Sequence, residues 1–123
     1  MINKEKLELA SEYFNKAYQL HMSGNIRDAI EAYKTSIGFY PTPKAHTFLG
    51  WAFSLNGKFD EAIEDLTASI GFDPDFATTY KYRALAYVSK KDYLQAINDL
   101  TEVLQRAPDD AGALFERGNC YIQ

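Results

Sequence analysis

The residues that could carry chemistry are few and lie far apart along the chain. His21 and His46 have no cysteine or paired carboxylate at metal-ligand spacing, so no metal site is predicted. The single cysteine, Cys120, cannot form an internal disulfide and is expected to pack as a small apolar residue. There is no phosphate-binding glycine loop and no serine–histidine–aspartate pattern. The sequence therefore predicts no enzymatic activity and no cofactor.

The remaining charged cluster is Asp60, Glu61, Glu64 and Asp65. These carboxylates recur at helical spacing, and such a run is usually a solvated helix face. We therefore interpret them as part of an outer surface. His46 is expected to be packed or half-buried.

The composition limits the class of protein and its partners. The chain has 123 residues, of which 46% are apolar, and a net charge of −4. Such a composition fits one folded domain, and the absence of a basic excess argues against nucleic-acid binding. No stretch resembles a signal peptide or reaches membrane-spanning length. We expect a cytoplasmic location, no nucleic acid and no membrane among the partners.

An internal repeat positions all of these residues. Residues 24–41, 57–74 and 91–108 are versions of one sequence motif, and the first two have the same residue at nine of eighteen positions. The closing prolines, Pro41, Pro74 and Pro108, are 33 and 34 residues apart. A fixed period in this range indicates stacked supersecondary units.

Each unit reads as two helices joined by a short turn. Apolar residues recur at helical spacing, glycine or asparagine marks the turns, and proline closes each second helix. The expected helix caps are Thr42, Asp75 and the pair Asp109–Asp110. The prediction is three helix–turn–helix units plus one unpaired helix, without strands.

Small residues explain how the helices of a unit pack. Ala17, Gly50, Ala84 and Gly118 hold one equivalent position in the first helices, and alanine holds another in the second helices. Small residues facing each other allow helix axes to approach to roughly 8–10 Å. Because one unit cannot bury its apolar face alone, the units are expected to stack.

These residues resemble the tetratricopeptide repeat family across nearly the whole chain. The second unit matches the family pattern with Leu49, Gly50, Phe53, Gly57, Phe59, Ala62, Ser69 and Pro74. The resemblance implies an all-α, right-handed superhelical stack of antiparallel helix pairs. It implies one domain over residues 1–123, with repeats at about 10–42, 43–76 and 77–110 and an unpaired helix at 111–123. Two departures from the pattern are His46 at an aromatic position and Lys91 at a turn glycine.

The resemblance also implies a concave groove lined by the first helices, which takes up a peptide or partner helix. It assigns four groove positions to each repeat, namely Ser11, Phe14, Tyr18, His21, Lys44, Thr47, Trp51, Ser54, Thr78, Lys81, Leu85, Val88, Gly112, Phe115, Asn119 and Ile122. Exposed apolar patches of this kind mark interaction sites, and tryptophan and tyrosine are enriched in binding hot spots. Trp51 is the strongest candidate for a ligand contact.

Charge adds to the expected character of the groove. The first helices of repeats two and three carry Lys44, Lys81 and Arg83 but no carboxylate. An apolar, mildly basic groove on an acidic protein favours an apolar peptide that carries some negative charge. Lys44 and Lys81 are expected to orient that peptide.

One family function is not expected. In some family members, lysine, asparagine and arginine side chains grip the terminal carboxylate of heat-shock chaperones. The residues at those places here are Phe14, Tyr18, Phe48, Thr78 and Tyr82. None of them has the required charge or amide group, so the sequence predicts no such clamp.

The leading hypothesis is therefore a non-enzymatic protein-interaction module. A second hypothesis is self-assembly into a scaffold or homo-oligomer through the uncapped helix at 111–123. A third is that the chain forms the regulatory arm of a longer protein. The sequence stops in mid-repeat at Gln123, which leads us to expect a fragment of a longer chain.

Overall fold

Seven α-helices make up the protein in a computed structural model, which describes residues 3–123. Within that range there is no strand, and the predicted all-helical class is confirmed. The helices, in chain order, are α1 Lys4–Met22, α2 Ile26–Phe39, α3 Pro43–Leu55, α4 Phe59–Phe72, α5 Ala77–Ser89, α6 Tyr93–Arg106 and α7 Ala111–Tyr121.

Two of the three capping residues predicted from the sequence start a helix. Thr42 caps α3 by accepting a hydrogen bond from the Ala45 amide at 3.0 Å, and Asp110 does the same for α7 through Ala113. The prediction for Asp75 is wrong. The N-cap of α5 is Phe76, and the Asp75 amide instead donates to the side chain of Asp73.

The turns within the three helix pairs share one backbone conformation. Gly24 and Gly57 have φ angles of +86° and +75°, which glycine adopts without steric cost. Lys91 stands at the equivalent position of the third pair with a φ of +63°. A lysine is therefore held in the left-handed region.

Consecutive helices pack as the antiparallel pairs α1–α2, α3–α4 and α5–α6, and α7 packs on α6. Gly50 lets α3 approach α4 so closely that an added Cβ would lie 2.5 Å from Leu66 Cγ. Large buried side chains such as Tyr33, Leu66 and Leu100 fill the space around these contacts. Cys120 is buried in the core, as predicted.

A chain of hydroxyl groups joins the second repeat to the third. The Thr47 Oγ1 atom lies 2.6 Å from Ser69 Oγ and 2.8 Å from Thr79 Oγ1, and Ser69 donates to the Pro43 carbonyl. Thr47 is fully buried. Its predicted place in the groove is therefore wrong, because its side chain turns into the packing between α3, α4 and α5.

Arg83 also differs from its expected place. Its guanidinium donates to Asp99 of α6 at 2.9 and 2.7 Å and to Thr67 of α4 at 3.0 Å. It lies on the side of α5 that faces the second helices, so it adds no charge to the groove. Among the helices of residues 3–123, none is long and apolar enough to cross a membrane.

Candidate binding groove

Five aromatic side chains form one surface across three successive first helices. We call Phe14 and Tyr18 of α1, Phe48 and Trp51 of α3, and Tyr82 of α5 the aromatic cluster. Helical spacing produces it: residues four apart on α1 and three apart on α3 lie on one helix face. The face formed by α1, α3, α5 and α7 is called here the first-helix face.

The rings of the aromatic cluster contact one another in sequence. Phe14 and Tyr18 of α1 meet the Phe48 ring with centroid distances of 5.5 and 5.8 Å, both edge-on. Phe48 lies 5.9 Å from Trp51, which stacks on Tyr82 at 5.0 Å and 10°. Edge-to-face and stacked pairs at these distances are mutually attractive. The cluster is therefore a packed aromatic layer that links three repeats.

Part of this layer remains open to solvent. Tyr18 is 42% exposed, and Phe14, Trp51 and Tyr82 are half-buried. Leu85 of α5, one helical turn from Tyr82, is 41% exposed, and Phe115 of α7 is 67% exposed. These side chains give the first-helix face an exposed apolar surface.

His21 does not belong to that exposed surface. It is only 4% exposed, its Nδ1 atom lies 2.9 Å from the Tyr33 hydroxyl, and its ring lies 4.2 Å from Trp51. Burial lowers the pKa of His21 and raises the pKa of Tyr33. The expectation that the His21 side chain faces the groove is wrong. Its ring is buried and packs against the Trp51 ring instead.

The two groove lysines have different surroundings. The Lys44 ammonium lies 4.9 Å from the centre of the Phe14 ring, and among residues 3–123 no carboxylate pairs with it. Lys81 forms a 2.7 Å ion pair with Asp110, and this hydrogen bond lowers the pKa of Asp110. Lys44 is therefore the better placed of the two to meet an anionic group.

A cleft of about 320 Å³ lies beside Lys44 at one end of the aromatic cluster. It runs between α1 and the start of α3, with Leu7 and Phe14 as apolar walls and Ser11 and Thr42 as polar ones. The cleft places an apolar depression and a cation next to each other.

Two of the other predicted groove residues are less open, whereas Ile122 is 78% exposed. Val88 is half-buried and packs against the core cluster of the third repeat, while Asn119 of α7 is half-buried. Phe48 and Tyr82 were not among the predicted ligand contacts, although both belong to the aromatic cluster. Their spacing of three residues from Trp51 and Leu85 is compatible with the same face, although Thr47, four residues from Trp51, fits that rule equally well.

Helix pairs stacked in this way, with an aromatic surface on the first helices, define a helical-repeat protein. The family model for the tetratricopeptide repeat matches residues 22–75 and 83–123. The chain belongs to the tetratricopeptide repeat family.

Curated relatives share this domain within longer chains. Sperm-associated antigen 1 of Rattus norvegicus is 28% identical over 110 residues, which is 89% of this chain and 12% of that protein. DnaJ homolog subfamily C member 7 of Homo sapiens is 31% identical over 108 residues, or 84% of this chain and 21% of that protein. The chain thus spans between about an eighth and a fifth of the length of these two relatives.

A solved structure has the same fold at low sequence identity. The first TPR of Spaghetti (RPAP3), bound to the HSP90 peptide SRMEEVD, superposes with a TM-score of 0.91 at 21% identity. The match covers 94% of this chain and 92% of that one. The predicted fold class, a right-handed superhelical stack of antiparallel helix pairs, is confirmed.

Proposed function

We propose that this tetratricopeptide module binds a peptide or a partner helix on its first-helix face, without catalysing a reaction. The observation that carries the proposal is the aromatic cluster, whose five rings contact one another in sequence. Tyr18 in the cluster and Leu85 near Tyr82 are exposed to solvent. Exposed apolar surface of this kind usually marks an interaction site. Trp51 and Tyr18 supply the large, rigid contact areas that dominate binding energies.

The charge around the cluster favours a partner with some negative charge. Helices α3 and α5 contain no carboxylate, and Lys44 lies beside an apolar cleft at one end of the cluster. An acidic side chain of the partner at Lys44 would fix the direction of the bound segment. Phe14, Tyr18 and Trp51 would take its apolar residues.

The same residues favour a ligand unlike a chaperone C-terminus. Phe14, Tyr18, Phe48 and Tyr82 stand where carboxylate-gripping family members carry amide or cationic side chains. Aromatic rings offer no charge to a terminal carboxylate. We therefore propose an apolar segment as the ligand, held mainly by its side chains.

The test is quantitative capture of partners from a native extract with Trp51→Ala/Tyr18→Ala. Truncating a buried hot-spot residue costs about 2 kcal/mol or more, so capture should fall by roughly tenfold or more. Leu94→Ala is the matched control, because Leu94 is an apolar residue of α6 that is 73% exposed and lies away from the cluster. Far-UV circular dichroism verifies that all variants stay helical. Equal capture by the double variant and the control would refute the assignment.

Self-association through α7 is a second candidate, favoured by the exposed side chains of that helix. Leu114, Phe115 and Tyr121 are each at least 47% exposed and lie along α7. Burial of these groups on a second copy would stabilise an oligomer. Light scattering over a wide concentration range tests this candidate. A mass that rises with concentration and falls back in Leu114→Glu supports it, whereas a constant monomer mass excludes it.

A further inference from the structure

Two equivalent clefts on the side of the second helices differ in what fills them. One lies between α4 and α6 and is occupied by the Arg83 side chain from α5. The other lies between α2 and α4, where a cleft of about 310 Å³ opens beside Leu49 of α3. Leu49 and Arg83 hold the same position of the repeat, each directly before the small residue that packs on the second helix.

The α4–α6 cleft shows what an arginine meets at this position. Asp99 accepts two hydrogen bonds from the guanidinium and Thr67 accepts one. The guanidinium carbon also lies 6.0 Å from the centre of the Tyr80 ring and 5.9 Å from that of Tyr87. A carboxylate and two aromatic faces surround the cation, which is a favourable combination for arginine.

The α2–α4 cleft offers the same carboxylate and pair of rings, but Lys34 stands where the filled cleft has Thr67. Its equivalent residues are a carboxylate and two rings, Asp65, His46 and Phe53, and all three line the open space. The His46 Nδ1 atom lies 3.0 Å from Asp65 Oδ1, which holds the carboxylate at the wall of the cleft. The third repeat's arginine is replaced by Leu49, whose aliphatic side chain leaves the space open.

Charge makes the open cleft more attractive to a cation than its filled counterpart. Glu61 and Glu64 line it at positions where the next repeat has the neutral residues Gln95 and Asn98. The Lys34 ammonium already lies 5.5 Å from the centre of the Phe53 ring, so this ring face accepts a cation. Three carboxylates and one lysine give the cleft a negative balance.

We propose that the α2–α4 cleft receives an arginine side chain from a segment of a partner protein. The guanidinium pairs with Asp65 and lies against the His46 and Phe53 rings, while its aliphatic stem covers Leu49. This site is on the opposite side of α3 from the aromatic cluster. The arginine site can therefore be tested independently of the function proposed for the first-helix face.

The probe is Nα-acetyl-arginine amide, titrated into the isotope-labelled protein while backbone amide shifts are followed by NMR. Its matched control is Nα-acetyl-citrulline amide, which has the same shape without the charge. We expect saturable shifts at the cleft residues with a dissociation constant on the order of millimolar. The citrulline compound should bind at least about tenfold more weakly, because charge-assisted hydrogen bonds are the stronger ones.

Two variants locate the site. Asp65→Asn keeps a partner for His46 but removes the charge, and it should weaken the arginine probe by about tenfold. Leu49→Arg places the protein's own guanidinium in the cleft and should abolish the response. If Leu49→Arg fails to fold by circular dichroism, Asp65→Asn alone decides the test. Trp51→Ala should bind the probe like the wild type.

Three results would overturn the proposal. Equal binding of the citrulline compound would show that the guanidinium charge plays no part. An unchanged response in Asp65→Asn would place the probe elsewhere on the acidic surface. Equal binding of Nα-acetyl-lysine amide would show a general cation site rather than one shaped for arginine.

Discussion

Lys91 shows how a single residue departs from its repeat. The other two helix pairs turn at glycines with positive φ, and Lys91 holds the same conformation with a side chain attached. A left-handed conformation costs an L-residue roughly 1–2 kcal/mol. The turn is therefore under strain in the third pair alone.

We predict that Lys91→Gly stabilises the protein. The released strain is partly offset by about 0.4–1 kcal/mol of extra chain entropy in the unfolded state, which leaves a net gain of about 0.5–1 kcal/mol. Urea denaturation followed by circular dichroism measures it. Gly57→Ala, the reciprocal control, should lower the unfolding free energy, and a loss of stability in Lys91→Gly would contradict the interpretation.

His21 is the second residue with a measurable consequence. It is buried beneath Trp51, its Nε2 atom has no hydrogen-bond partner among residues 3–123, and burial lowers its pKa. The unfolded chain therefore binds a proton at this histidine more readily than the folded one. Neutral His21 is the favoured state of the fold.

The sign of the pH dependence follows from linkage. Stability is complete above the ordinary histidine pKa of about 6.5 and is lost as the pH falls through it towards the lowered folded pKa. Denaturant titrations at neutral pH and at about pH 5 should show a smaller loss for His21→Gln than for the wild type. His46 is present in both proteins, so it does not contribute to the difference between their losses of stability. Identical losses would mean that His21 is protonated without cost in the fold.

Pairs of helices depend on how closely their backbones approach. At Gly50 a Cβ would lie 2.5 and 2.8 Å from two Leu66 carbons and 3.1 Å from the Ala62 carbonyl oxygen. At Gly118, the equivalent position of α7, a Cβ would have no neighbour within 4 Å. The same small residue is thus required for packing in one helix and not in the other.

The two glycines form a matched pair for mutation. Gly50→Ala should lower the unfolding free energy, because overpacking costs about 1–3 kcal/mol and outweighs the gain in helix propensity. Gly118→Ala should raise it by about 0.5–1 kcal/mol through propensity alone. Thermal or urea unfolding compares them directly. Equal effects would show that Leu66 moves aside freely.

The helices could be predicted from the sequence, but the direction of individual side chains could not. Period, turn glycines and caps such as Thr42 and Asp110 each act locally, so they can be recognised without the fold. Thr47 and Phe48 are adjacent at the edge of one helix face, and helical period alone does not decide which turns inward. The neighbouring Ser69 and Thr79 hydroxyls decide it, and they belong to other helices.

The whole molecule has two chemically distinct sides. The first-helix face carries the aromatic cluster and Lys44, whereas acidic residues such as Glu61 and Glu64 line the cleft among the second helices. The repeat explains the stack but not this division, because the residues that differ between repeats create it. Arg83 illustrates the limit: its charge was visible in the sequence, but its partners Asp99 and Thr67 became clear only from the packing of three helices.

Site-specific photo-crosslinking tests the binding function most directly. A photoreactive amino acid is placed at Tyr18 or Leu85 on the first-helix face, or at Leu94 as an exposed control on the second helices. Each protein is irradiated in native extract. We predict that one and the same partner is joined at Tyr18 and Leu85 and not at Leu94. A partner joined at Leu94 but not at the first-helix face would contradict the proposed function.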